Sequence, residues 1–152
     1  MPLRRRVPFL HRARAGFTLF ELMIVLAVVA VLAGIAVPAF LEQAARARRT
    51  DVQVALLEDA GYMQRYYAAH DSYRGSPAPQ LSAPRSPRTG PTNYVVTLSV
   101  PADDPGSFLL VATRSGAMRA DACGDFTYDN LGRRDLVAGT FAAGRSAPSC
   151  WR

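Results

Sequence analysis

Hydrophobicity along this chain takes the form of one long uninterrupted run followed by short periodic ones. From Leu22 to Leu41, twenty consecutive residues carry no charge, about the length of helix that crosses a hydrocarbon core of roughly 30 Å. Beyond Leu41 the pattern changes. Val52, Leu56, Ala60, Met63 and Tyr67 recur at spacings of four, four, three and four, which predicts that a helix continues over 42–72 with a single apolar face. The stretch from Gly75 to Pro91 contains Pro77, Pro79, Pro84, Pro87 and Pro91. That density predicts a surface loop over 73–92 without regular structure. The period then drops to two. Asn93–Val100 alternates Tyr94, Val96, Leu98 and Val100 on one side, Ser107–Arg114 is a β-rich apolar run, and Pro101–Gly106 reads as the turn between them. A third strand is predicted at Asp125–Asp129, a turn at Asn130–Arg133, a short fourth strand around Asp135–Val137, and an irregular tail over 138–152.

These elements make an α+β chain: a long N-terminal helix, apolar in its first half and amphipathic in its second, packed on a small antiparallel sheet of about four strands. Three features stand out in and beside the apolar run. Glu21 is a carboxylate at its very start, costly in lipid and therefore a candidate functional residue. Pro38 removes a helix hydrogen bond and predicts a kink or local melting. Ala27, Ala30, Ala33, Gly34 and Ala36 are small enough to let two such helices approach closely.

Charge adds orientation. The net charge is +6, but Arg4, Arg5, Arg6, Arg12 and Arg14 supply five of those charges within residues 1–16, where no acid occurs. The remainder is close to neutral, so the basic character belongs to the leader. Under the positive-inside bias the leader stays cytoplasmic and the C-terminal part is exported. An ordinary secretory signal carries its cleavage site after the apolar core; here the small residue, Gly16, precedes it. Cys123 and Cys150 form an even pair in a domain read as exported, which predicts a disulfide.

The run Gly16-Phe17-Thr18-Leu19-Phe20-Glu21-Leu22 resembles the cleavage and methylation motif of type IV prepilins and related pseudopilins. The resemblance implies cleavage by a prepilin peptidase between Gly16 and Phe17, N-methylation of Phe17, and an assembly role for Glu21, which falls at the fifth position of the processed chain. A buried carboxylate wants a cation, and cleavage would create an α-amine on Phe17. Within one helix that amine is poorly placed, so a neighbouring subunit's amine is the better partner, a pairing that fixes register more than it adds stability. Pro38 falls where many pilins of this family also carry a proline. A second block, Ala122-Cys123-Gly124-Asp125-Phe126-Thr127-Tyr128-Asp129-Asn130-Leu131-Gly132-Arg133 with the terminal Cys150-Trp151, resembles the tail of minor pilins of the PilE type. Together the two blocks imply a pilin fold and the domain order 1–16 leader, 17–41 membrane and filament-core helix, 42–152 head.

The remaining chemistry is sparse. No catalytic constellation, P-loop, dinucleotide turn or metal cluster stands out, which argues against an enzyme or a bound cofactor. Asp103 and Asp104 lack the further carboxylates a calcium loop needs and read as turn formers. His70 reads as structural. Arg46, Arg48 and Arg49 read as a solvated face, with contact to lipid headgroups or a neighbouring subunit as the alternative. Tyr62, Tyr66, Tyr67 and Tyr73 read as packing against the sheet rather than as a base-stacking surface. The resemblance thus implies a structural subunit of a type IV pilus, acting in assembly and hence in twitching motility, adhesion or DNA uptake. Its partners would be the prepilin peptidase, other pilins, the assembly platform and the inner membrane. It would reside there as a single-pass protein with a periplasmic head, and at the cell surface after assembly. Two alternatives remain open: a type II secretion pseudopilin, which shares the leader and Glu21, and a DNA-binding competence receptor. The latter is weakened by the scatter of Arg114, Arg119, Arg133, Arg134 and Arg145 among acids.

Overall fold

The computed structural model describes residues 16–151, so the leader arginines Arg4, Arg5, Arg6, Arg12 and Arg14 lie outside the described residues. The chain divides into two units, one ending at Ala39 and one beginning at Phe40.

In the first unit the helix α1 (Leu19–His70) begins. Thr18 sets its start: its carbonyl accepts the first helical bond from Leu22 N at 3.1 Å, and its Oγ1 accepts from Glu21 N at 3.1 Å. That is the geometry of a helix N-cap. Side chains from Gly16 to Leu41 are all exposed; Leu32, for example, is 61% exposed. This part of α1 is long and apolar enough to cross a membrane. Pro38 lies inside α1, and helix is present on both sides of it.

In the second unit α1 acquires a buried face. Val52, Leu56, Ala60 and Met63, the residues of the four-four-three pattern, are buried, with Leu56 at 0%. They share one core with Tyr94, Val96, Phe108, Leu110, Ala112, Phe126 and Leu136. Tyr67, the last member of that pattern, is half-buried at the core's edge and lies 4.7 Å from the Tyr73 ring. Tyr73 in turn meets Phe108 edge-on at 4.7 Å, so Tyr67 and Tyr73 pack against the core as expected, whereas Tyr66 stacks on His70 and donates to Pro77 O at 2.9 Å. The helix ends at His70, slightly short of the predicted 72, because Asp71 adopts a left-handed φ of 53°, the usual way for a helix to terminate.

The sheet has five strands rather than about four, in the order β1 (Arg85–Ser86), β2 (Tyr94–Ser99), β3 (Leu109–Arg114), β4 (Phe126–Asp129), β5 (Arg134–Leu136), each antiparallel to its neighbour. The additional strand, β1, arises inside the proline-rich segment expected to be irregular. Proline cannot donate to a ladder but can accept. Pro84 O takes Val96 N at 2.9 Å, and Ser86 O takes Asn93 N at 2.8 Å. Flanking prolines hold β1 to two residues on the sheet edge, where they are tolerated. The same segment is stitched to α1 by Asp59, which is fully buried and accepts from Ala83 N at 2.8 Å and Ser82 Oγ at 2.9 Å. The tail is also more ordered than expected: Ala147–Cys150 forms a one-turn helix, α2, started by reciprocal Ser146 and Ser149 capping with Pro148 in the first turn.

Candidate functional site

Three groups of residues carry the chemistry of this chain, and the first is the N-terminal stretch. Gly16 and Phe17 precede α1 in irregular, exposed backbone, and Phe17 is 80% exposed. Glu21 occupies the first turn of α1, where the positive end of the helix dipole favours a carboxylate. Thr18-Leu19-Phe20-Glu21 is also a Thr-x-x-Glu capping sequence, a signal the period-based reading passed over. Half of that box is present, in the Thr18 Oγ1 bond to Glu21 N. Among the described residues the Glu21 carboxylate itself has no hydrogen-bond or ion-pair partner.

The second group is a knot of arginines and carboxylates in the head. Arg49, expected on a solvated face, is only 5% exposed. Its Nε donates to Asp121 Oδ2 at 3.0 Å, its Nη2 donates to Asp121 Oδ1, and its Nη1 donates to Glu42 Oε1 at 3.2 Å. The bidentate bond to Asp121 raises the Arg49 pKa further, against the opposing effect of burial. Burial pushes the Glu42 carboxyl up, but hydrogen bonds from Arg49 and Arg46 outweigh it and leave Glu42 below its ordinary value. Arg114 extends the knot: its Nε donates to Asp125 Oδ1 at 2.9 Å and its Nη1 to Asp121 O at 2.6 Å. Tyr94 is buried beneath these charges, and desolvation pushes its phenol well up.

The third group is the tail. Cys123 and Cys150 form a disulfide with Cα atoms 5.8 Å apart, closing a separation of 27 residues. Gln53 Nε2 donates to Cys150 O at 2.8 Å, tying the tail to α1. Trp151 meets Phe126 edge-on at 5.4 Å and donates from Nε1 to Asp135 O at 3.0 Å, so the penultimate residue covers the β5 edge. Gly124, beside Cys123, has φ of +74°, and a Cβ there would stand 2.5 Å from Thr140 Oγ1 and 2.8 Å from Phe141 N. Only glycine fits this close approach.

The arginines weighed as a nucleic-acid surface divide into two sets. Arg114 and Arg133 are ion-paired, to Asp125 and Asp129, and Arg88 pairs with Glu58. Arg119 and Arg145 have no ion pair among the described residues, and Arg134 stacks over Trp151 at 5.8 Å from the ring centroid. The other singled-out residues are local. Asp104 Oδ1 accepts from Gly106 N at 3.2 Å, as a turn former does. The His70 Nδ1 lies 2.9 Å from Tyr66 O, and its ring stacks on Tyr66.

Two family models match the chain in succession. Residues 11–37 match the prokaryotic N-terminal methylation motif, and residues 38–127 match a family described as type IV minor pilin ComP, DNA uptake sequence receptor. The chain is 32% identical over 105 residues to the type IV wide pilus major component PilA4 of Thermus thermophilus, covering 69% of this chain and 77% of that protein. It is 28% identical over 145 residues to the type IV major pilin protein PilE1 of Neisseria gonorrhoeae, covering 86% and 68% respectively. Among solved structures, a type IV pilin from Shewanella oneidensis aligns over 66% of this chain and 98% of that one, at 24% identity and a TM-score of 0.45. The two family-model matches, together with the 32% identity to PilA4, lead to one conclusion: the chain belongs to the type IV pilin family.

Proposed function

We propose that this protein is a minor structural subunit of a type IV pilus, delivered to the filament by its own N-terminal helix. The observation that carries the reading is the match of residues 38–127 to a minor-pilin family, next to a methylation motif at residues 11–37. Relatives described as pilus components favour a pilus over a secretion pseudopilus. In this reading a prepilin peptidase removes residues 1–16 by cutting between Gly16 and Phe17, and Phe17 is N-methylated. Residues 17–41 span the inner membrane and then enter the filament core, Pro38 adapts the helix to packing there, and residues 42–152 form the exported head. Glu21 pairs with the amine of a neighbouring subunit's Phe17 and sets the axial stagger. Glu21→Val should leave the chain inserted in the membrane but reduce its recovery in sheared filaments at least tenfold; normal recovery would remove the pairing. Deletion of the gene, scored for surface pili, twitching and secretion, tests the whole reading. Loss of secretion with intact pili would replace it with the pseudopilin alternative.

The matched family's description as a DNA uptake sequence receptor favours a second reading, that the head also receives DNA. Of the arginines in the C-terminal half weighed for this role, Arg119, Arg134 and Arg145 have no ion pair among the described residues, and the Trp151 face lies beside Arg134. Binding to duplex DNA should then weaken steeply with salt and should weaken further in Arg134→Gln. Absence of binding at low salt would remove the reading.

A further inference from the structure

A cavity of about 350 Å³ lies between α1 and the tail, lined by Glu42, Arg46, Arg49, Gln53, Arg145 and Ser149 among others. Its walls are fixed rather than incidental. Gln53 bonds the carbonyl of Cys150, the disulfide holds Cys150 to Cys123, and Asp121 grips Arg49. Three arginines line it against a single carboxylate, Glu42. Asp121 neutralises Arg49, so Glu42 alone faces Arg46 and Arg145 and one positive charge is left over. Arg46 uses only Nε, donated to Glu42 Oε1 at 3.3 Å, and the Arg145 guanidinium has no hydrogen bond among the described residues. Both therefore retain donors for an anionic oxygen.

The position of the cavity along α1 indicates which anion. The uncharged run ends at Leu41. At about 1.5 Å of rise per residue, Arg46 stands roughly 7–8 Å beyond it along the helix. The headgroup layer extends over a similar depth, roughly 5–8 Å, outside the hydrocarbon core. With Leu41 at the hydrocarbon boundary, Arg46 reaches the level of lipid phosphates, and the tail places Arg145 in the same cavity. We propose that this cavity binds the phosphate headgroup of an anionic phospholipid, so that the membrane-inserted subunit docks its head on the lipid surface through Arg46 and Arg145. Leaving the membrane for the filament would then require release of that lipid.

The test uses the full chain purified in an uncharged detergent, with the arginine Nε–H resonances of Arg46 and Arg145 followed by NMR. The probes are phosphatidylglycerol, phosphatidylcholine and inorganic phosphate, added in separate titrations. Phosphatidylglycerol should give saturable shifts at both arginines. In the Arg46→Gln, Arg145→Gln double variant, half-saturation followed at the Gln53 side-chain amide should move about 30-fold, roughly fivefold per arginine. An unchanged near-UV signal from Trp151 certifies that this variant is folded. Equal saturation by inorganic phosphate would make this a free-anion site and overturn the lipid assignment, as would equal shifts from phosphatidylcholine. Shifts that depend on protein concentration without lipid would assign the cavity to an acidic surface of a second copy and also overturn it.

Discussion

The two halves of α1 have one secondary structure and opposite relations to their surroundings. Leu32 in the first half is 61% exposed, whereas Leu56 in the second is fully buried. The difference lies in pattern rather than hydrophobicity. An all-round apolar helix has no preferred face and needs an apolar environment on every side, while apolar residues at four-four-three spacing bury one stripe and leave the others in water. The head half also has polar residues inside its stripe. Arg49, Gln53 and Asp59 are buried, and each bonds a segment far away in sequence: Arg49 to Asp121, Gln53 to Cys150 and Asp59 to Ala83. The apolar half is therefore the part to which the proposed function assigns insertion and assembly, and the head half organises its own domain. Substitutions that are equivalent on paper should have unequal consequences in the two halves.

The largest expected effect is at Arg49. Arg49→Ala leaves Asp121 as an uncompensated charge with only 4% of its side chain exposed, which should cost the head about 3–5 kcal/mol in denaturant unfolding. Arg49→Met combined with Asp121→Leu should recover most of that loss, since replacing both partners by apolar groups is often neutral. A double variant as unstable as Arg49→Ala would show that the pair does more than neutralise itself. Reducing the disulfide comes next. For the 27-residue separation of Cys123 and Cys150, chain entropy assigns about 3.5 kcal/mol. Near-UV dichroism of the head should weaken on reduction while partitioning of the chain into membranes stays the same. The third contrast is direct: Leu56→Ala should cost about 3 kcal/mol, within the range for buried leucines, and Leu32→Ala should leave head unfolding unchanged. A loss of head stability from Leu32→Ala would break the division of labour.

The same contrast explains what was legible in the sequence. Periodicity reports what a helix or strand does with its own faces, and so Val52, Leu56, Ala60 and Met63 were found in the core where the spacing placed them, as were Tyr94 and Val96 on β2. The cysteine pair was legible because an exported domain with an even pair has a simple solution. What escaped was long-range pairing. Arg49 looks like its neighbours Arg46 and Arg48 until Asp121, 72 residues away, is brought against it. β1 was hidden among prolines because its ladder uses carbonyls that proline retains, Pro84 O above all. The Thr18 cap was readable from Thr-x-x-Glu, but the search for an apolar period passes over a polar residue just before the helix.

The smallest expected effect tests whether the head's polar fastenings act through charge. Asp129 closes the turn from β4 to β5: its Oδ1 accepts from Leu131 N at 3.0 Å and Arg133 N at 2.9 Å, and its Oδ2 accepts from Arg133 Nε. Burial raises its pKa, but these bonds outweigh burial and hold the carboxyl below its ordinary value. A depressed folded pKa means that the stabilisation is complete above the unfolded value of about 3.9 and is lost as pH falls through the folded one. This contribution should therefore hold from neutral pH down to about 4 and fade below it, so that the head unfolds more readily as acid is added beyond that point. Asp129→Asn keeps an accepting oxygen but cannot titrate. It should lower stability at neutral pH and flatten the acid decline by a matching amount. If the variant declined with acid as steeply as the parent, the pH dependence would belong to other carboxylates, with Glu42, depressed by Arg49 and Arg46, the next to be replaced.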